Sequence, residues 1–180
     1  MNRISLVSPA DTTGERQQLL AQIQGAFGAT PNMFKAVANS TAALKSMWGS
    51  FCALGGGVID AKLGEQIAVA IADRNACEYC LAAHTVLGRK AGASAEEMSA
   101  AQAGHSSDPK TAAALRFAIA VVSNRAQIVD EDVEALRAVG FNDEAIVEIM
   151  AHVALNLFTN YVNVAFKVPV DFPAVKLRAK

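Results

Sequence analysis

The sequence predicts an all-α protein, a single-domain helical bundle of about eight helices across residues 1–180. Three observations carry that expectation. Apolar residues recur at helical spacing nearly throughout, and no run alternates with the period of a strand. Helix-start and helix-stop residues punctuate the chain at intervals that suit helices. The 180 residues are 52% hydrophobic, enough for one sizeable core, with no linker, repeat or low-complexity segment.

Taken in order, "TGERQQLLAQIQGAFG" reads as a first helix stopped by Gly28. Pro31 opens a second, "PNMFKAVANSTAALKSMWGSFCAL", with apolar positions at Phe34, Val37, Leu44, Met47, Trp48 and Phe51, broken by Gly55–Gly57. Asp60 is placed to cap a third, in which Ile67, Ala68, Ile71 and Ala72 share a face. The fourth, "CEYCLAAHTVLGRKAG", ends at Gly92 after Arg89 and Lys90, cations that suit a helix C-terminus. Ser94 and Glu97 have capping-box spacing at the head of a fifth. Asp108 and Pro109 start a sixth, and "DEDVEALRAVG" and "NDEAIVEIMAHVALNLFTNYVNVAFKV" complete the set before a proline-marked extended tail.

Composition limits the function classes. The net charge is -1, which is not the basic footprint of a nucleic-acid binder. No uninterrupted apolar run reaches the roughly 18 residues of a membrane span, and the first residues lack a signal-peptide core. A cytoplasmic protein is expected. Charged residues make up 18%, below the soluble average of about 25%, which points to surface covered by other subunits.

The chemistry concentrates in Ala76–Gly92, "ACEYCLAAHTVLGRKAG". Cys77 and Cys80 stand at i and i+3, and Cys80 and His84 at i and i+4, so all three share one helical stripe. Cα atoms three apart on a helix lie about 5 Å from each other, within the roughly 4.4–6.8 Å that a disulfide accepts. Cys77 falls at the helix N-terminus, where the dipole stabilises a thiolate. His84, one turn from Cys80, is a base suited to take its proton. Zinc is a competing reading, but Cys77 and His84 would stand about 10 Å apart along an unbroken helix, and no fourth ligand follows. Inert small core residues are the other alternative. A redox pair accounts for the thiols and the histidine together, and no metal or cofactor is expected.

Glu65 completes the pattern E-x11-C-x-x-C-x3-H, which resembles the signature of the AhpD-like (alkylhydroperoxidase D) branch of the carboxymuconolactone decarboxylase superfamily. The motif core is residues 60–92, and "TPNMFKAVANS" and "NLFTNYVNVAFKVPVDFP" are similar to segments of peroxidase-related members. The resemblance implies an AhpD-like all-α fold, trimers or hexamers, and thiol-dependent reduction of hydroperoxides. It implies Cys80 as the attacking thiol, Cys77 as the resolving one, and Glu65 and His84 as the proton relay. It also implies a dithiol or lipoyl-bearing reductant and a peroxiredoxin partner. The alternatives are a decarboxylase-like lyase and a non-catalytic CxxC redox sensor. Family members carry a second histidine just before the second cysteine, and here Tyr79 stands there; a phenol is no base near neutral pH but can donate a hydrogen bond to a thiolate or peroxide oxygen.

Other residues read as structural. Without its spacing to the thiols, Glu65 is a solvated partner of Lys62. His152, Asn156, Asn160 and Asn163 form a polar line expected in a hydrogen-bonded core or subunit interface. His105 is expected in solvent, Cys52 in the core, and Arg116 in a buried ion pair.

Overall fold

The structure is a computed structural model and describes residues 2–178; Met1, Ala179 and Lys180, at the ends of the expected 1–180 domain, lie outside the described residues. After a 3-10 turn at Pro9–Asp11 come α1 (Gly14–Phe27), α2 (Asn32–Val37), α3 (Thr41–Leu54), α4 (Ala61–Arg74) and α5 (Glu78–Lys90). Then follow α6 (Ala95–Gln102), α7 (Pro109–Ser123), α8 (Asp130–Ala138) and α9 (Asp143–Phe166). Among the described residues there is no strand.

The expected starts and stops hold. Asp60 Oδ1 accepts the Leu63 N–H at 2.9 Å, and Asp108 Oδ2 accepts that of Thr111 at 2.7 Å with Pro109 opening α7. Ser94 and Glu97 form the reciprocal capping box. Gly28 ends α1 in the left-handed region, at φ 76°. One expectation needs correction, because the long second helix is two helices and the α-helix count among the described residues is nine. The break lies at Ala38–Ser40. There the Asn39 amide donates to the carbonyls of Ser5 and Ala36, and Ser40 Oγ accepts the Ala43 N–H. Short polar side chains offer the backbone these local partners in place of a continuous helix.

The core forms around α4, which packs against α5, α6, α7 and α9. Gln66 through Ala72 of α4 are all buried, and the alanines among them let neighbouring helices approach closely. α9 is long and apolar enough to cross a bilayer by length and composition. Yet its inner face carries Asn156, Asn160 and Asn163, all buried, and packs on α3, α4, α5 and α7. It is built as a core helix with a second, exposed face.

Beyond α9 the chain runs back over the bundle. Asp171 Oδ2 accepts the Asn32 N–H at 2.8 Å, and the Arg178 N–H donates to Asp73 at 3.0 Å. Phe172 thereby reaches the head of α5. Two residues sit outside the bundle interior, contrary to expectation: Cys52 and Arg116 are exposed, on the outward faces of α3 and α7. His105 is exposed as expected.

Candidate active site

The turn between α4 and α5 sets the thiols. Ala76 takes a left-handed φ of 53°, a conformation that costs an alanine about 1–2 kcal/mol. This turns the chain so that the Cys77 N–H donates to the Ala72 carbonyl at 2.9 Å and Cys77 becomes the N-cap of α5. Its sulfur then does what a capping oxygen does elsewhere, accepting the Cys80 N–H at 3.2 Å. Cys77 and Cys80 are joined as a disulfide with Cα atoms 5.4 Å apart, as the helical spacing predicts. Both residues are almost fully buried.

Glu65 and His84 are brought together by the packing of α4 on α5. His84 Nδ1 and Glu65 Oε2 are 2.7 Å apart, with side chains 11% and 22% exposed, so the pair is partly shielded from water. Gly88, one turn beyond His84, permits this approach. A Cβ there would stand 3.3 Å from Glu65 Cβ and collide with the end of Met98. Lys62 is not the partner of Glu65, since it pairs with Glu97 at 2.7 Å. With Nδ1 held by the carboxylate, the nitrogen of a neutral His84 that remains able to accept a proton is Nε2.

Cys80 has a partner that no sequence spacing announces. Asn163 Nδ2, from α9, donates to Cys80 Sγ at 3.2 Å, and Asn163 is buried. The polar line of α9 is thus only partly the closed network expected of it. Asn160 accepts from Asn75 at 3.0 Å and Asn156 donates to the His152 carbonyl at 2.9 Å. Asn163 serves the thiol, and several atoms of the line have no partner.

Tyr79 departs from its expected role. Its hydroxyl oxygen accepts the Met33 N–H at 3.1 Å, and the Asp171 carboxylate lies beside it. Its ring meets Phe172 edge-on, with centroids 5.7 Å apart. Burial first, with the Asp171 carboxylate adding to it, pushes its ionisation far above the ordinary phenol value. Tyr79 therefore ties α2, α5 and the tail together at the edge of the space that Cys80 and His84 line.

The two sulfurs meet different spaces. Cys80 and His84 line one small cavity of about 30 Å³, room for a water-sized group, walled by Phe34, Phe51 and Phe172. Cys77 instead lines an open groove of about 370 Å³ with Val164, Lys167, Val168 and Val170. Among the described residues no cluster of three or more His, Cys, Asp or Glu is placed to hold a metal ion.

Comparison with known proteins gives this site a lineage. Residues 41–122, from α3 to the end of α7 and including all four motif residues, match the model of the carboxymuconolactone decarboxylase family. The fold agrees over nearly its whole length with a peroxidase-related protein from Silicibacter sp. TM1040. That protein is 27% identical, with a TM-score of 0.82 covering 93% of this chain and 91% of that one. Residues 41–122 thus carry the pattern of the carboxymuconolactone decarboxylase family, and the fold around them is AhpD-like.

The AhpD-like fold is shared at lower identity as well. An AhpD-core, peroxidase-related protein from Ralstonia eutropha JMP134 is 24% identical with a TM-score of 0.86, covering 94% and 92% of the two chains. The debrominase Bmp8, solved with 2,3,4-tribromopyrrole, is 21% identical with a TM-score of 0.80, covering 95% and 94%. No curated protein matches the chain. The family and the Cys77–Cys80 pair fit a redox role for this AhpD-like protein, and the neighbours show that the fold serves more than one chemistry.

Proposed function

We propose that this AhpD-like protein is a thiol peroxidase that reduces organic hydroperoxides. The observation that carries the reading is the surroundings of Cys80: an amide donor from Asn163 on its sulfur, and a shared cavity with a histidine held by Glu65. In the reduced protein His84 takes the Cys80 proton, and the thiolate attacks the terminal oxygen of the hydroperoxide. The O–O bond breaks, the departing alkoxide takes the proton back from His84 as alcohol, and Cys80 is left as sulfenic acid. Cys77 attacks that sulfur, expelling water and forming the disulfide.

Reduction begins at the other sulfur. A dithiol, of which a lipoyl arm is one form, enters the groove beside Cys77 and attacks its sulfur. Cys80 leaves as the thiolate that Asn163 stabilises, and the second thiol of the reductant closes its own disulfide. One hydroperoxide and one dithiol give one alcohol, one water and one disulfide. A peroxiredoxin working beside this protein, a reducing cytoplasmic setting and a single domain over 1–180 accord with that cycle.

Assembly into a trimer or hexamer is part of the proposal. Val147, Phe158 and Tyr161 lie on the outer face of α9 and are exposed in a single chain, and charged residues are few.

The test is hydroperoxide consumption with dihydrolipoamide, followed as disulfide formed per peroxide lost. One-to-one turnover that vanishes in Cys80→Ser is expected. Reduced protein that consumes no peroxide even in a single turnover would refute the reading. A second reading is favoured by one observation: Glu65, His84 and His152 border a common cavity that contains no sulfur, as acid–base lyase chemistry would need. Lyase activity on a lactone acid that persists in Cys80→Ser would establish it.

A further inference from the structure

His84 also lines a second cavity, of about 150 Å³, that Cys80 does not border. That is the volume of an engineered protein cavity that binds benzene. Phe51, Leu54, Ile59, Ala68 and Leu155 give it apolar walls. Phe51, His84 and Thr159 line both this cavity and the small one at Cys80, so the two adjoin along that edge.

Its polar groups are incomplete. Asn156 is 5% exposed, and its Oδ1 is buried with no hydrogen-bond partner; His152 Nε2, in the same wall, has none either. Leaving such an atom unmet costs about 1–3 kcal/mol. His152 is held close by Gly64, whose missing side chain would place a Cβ 3.2 Å from the imidazole. Burial keeps the imidazole below its ordinary value, against the pull of the Glu148 and Glu65 carboxylates, so at neutral pH the ring is uncharged.

The electrostatics select among ligands. No lysine or arginine lines the cavity and one carboxylate, Glu65, does, so an anionic group is disfavoured. Asn156 Oδ1 can only accept, so what meets it must donate. We propose that this cavity holds the body of the substrate: an uncharged, benzene-sized organic group bearing an O–H or N–H that Asn156 Oδ1 receives. The reacting end then extends past His84 to Cys80. The proposal rests on the peroxidase reading only for that last placement.

Binding can therefore be tested without turnover, on the disulfide form of the full chain. Phenol, anisole and benzoate are titrated while the histidine ring signals are followed by NMR. Phenol should shift the His152 ring and bind about tenfold tighter than anisole, the value of roughly one hydrogen bond, with benzoate weaker than either. Asn156→Leu should abolish the preference for phenol over anisole. Should that variant fail to fold, Ala61→Trp serves, because Ala61 is an exposed lining residue and tryptophan there closes the mouth. It should lose the His152 shift. Equal affinities for phenol and anisole, a preference that survives either substitution, or benzoate bound as tightly as phenol would each overturn the proposal. None of these results depends on whether the protein consumes peroxide.

Discussion

Removing the amide from the thiol is the sharpest test of how Cys80 is activated. In Asn163→Leu the side chain keeps nearly the same volume, but the N–H that lies 3.2 Å from Cys80 Sγ is gone. A hydrogen bond to a charged acceptor contributes about 1.5–3 kcal/mol, and a diffuse sulfur acceptor belongs at the lower end. About 1.5 kcal/mol corresponds to roughly tenfold less thiolate at neutral pH. Stability should not fall in step, because Asn163 Oδ1 is buried without a partner and leucine removes that cost. The assay is iodoacetamide alkylation across pH in a Cys77→Ser background, with urea unfolding run beside it. Alkylation about tenfold slower at pH 7, with an unfolding midpoint unchanged or higher, is expected. A rate within twofold of the parent would show that the amide does not support the thiolate, and the account of Cys80 would fall to His84 alone.

Four further outcomes follow from the same geometry. Glu65→Gln should keep the fold but slow peroxide-driven sulfenic acid formation by about 10²–10⁴-fold, and near-normal stopped-flow rates would make Glu65 a structural acid. Tyr79→Phe should lower urea stability by about 1–3 kcal/mol, since the buried Met33 N–H loses its partner, while peroxide rates stay level. Ala76→Gly should raise stability by up to about 1 kcal/mol, the relief of the left-handed backbone less the entropy of glycine, and calorimetry will show whether it does. Glu148 accepts the N–H groups of Ile59 and Val58 at 2.7 and 2.9 Å; burial acts to raise its carboxyl, but these bonds prevail and hold it below the usual 4.5. Its contribution is thus complete above the ordinary glutamate range and lost as pH falls through the lowered value, so Glu148→Gln should flatten the loss of stability measured below pH 4.5.

What could be read from the sequence was local. The caps at Asp60, Ser94 and Asp108 and the Cys77–Cys80–His84 stripe all rest on spacings of three or four residues, which one helix fixes by itself. Glu65 is already less local, since its meeting with His84 depends on how α4 packs on α5. Asn163 and Cys80 are 83 residues apart, and no periodicity within either helix marks the pair. The polar line on α9 was the available signal, for an apolar helix does not bury asparagines without employment for them. Cys52 shows a signal of the other kind. Its helix is mostly apolar, but Lys45 stands two turns before it on the same face, and Lys45, Gly49 and Cys52 are all exposed.

The placement of the thiols in two separate spaces bears on why the pair is arranged in this order. A resolving cysteine and an attacking cysteine need opposite surroundings. The attacker gains from a small, water-poor cavity where one donor and one base act strongly, because both interactions weaken in bulk water. The resolver must be reached by a bulky dithiol, and the groove of about 370 Å³ beside Cys77 admits one, while the cavity of about 30 Å³ beside Cys80 does not. Attack at Cys77 also makes Cys80 the leaving group, and a leaving thiol departs faster when its thiolate is stabilised. In the proposed cycle the Asn163 amide would therefore act in both halves, first lowering the cost of the nucleophile and later that of the leaving group. Were the roles exchanged, the reductant would have to enter between Phe34, Phe51 and Phe172, and the expelled thiolate at Cys77 would have only the α5 backbone to receive it.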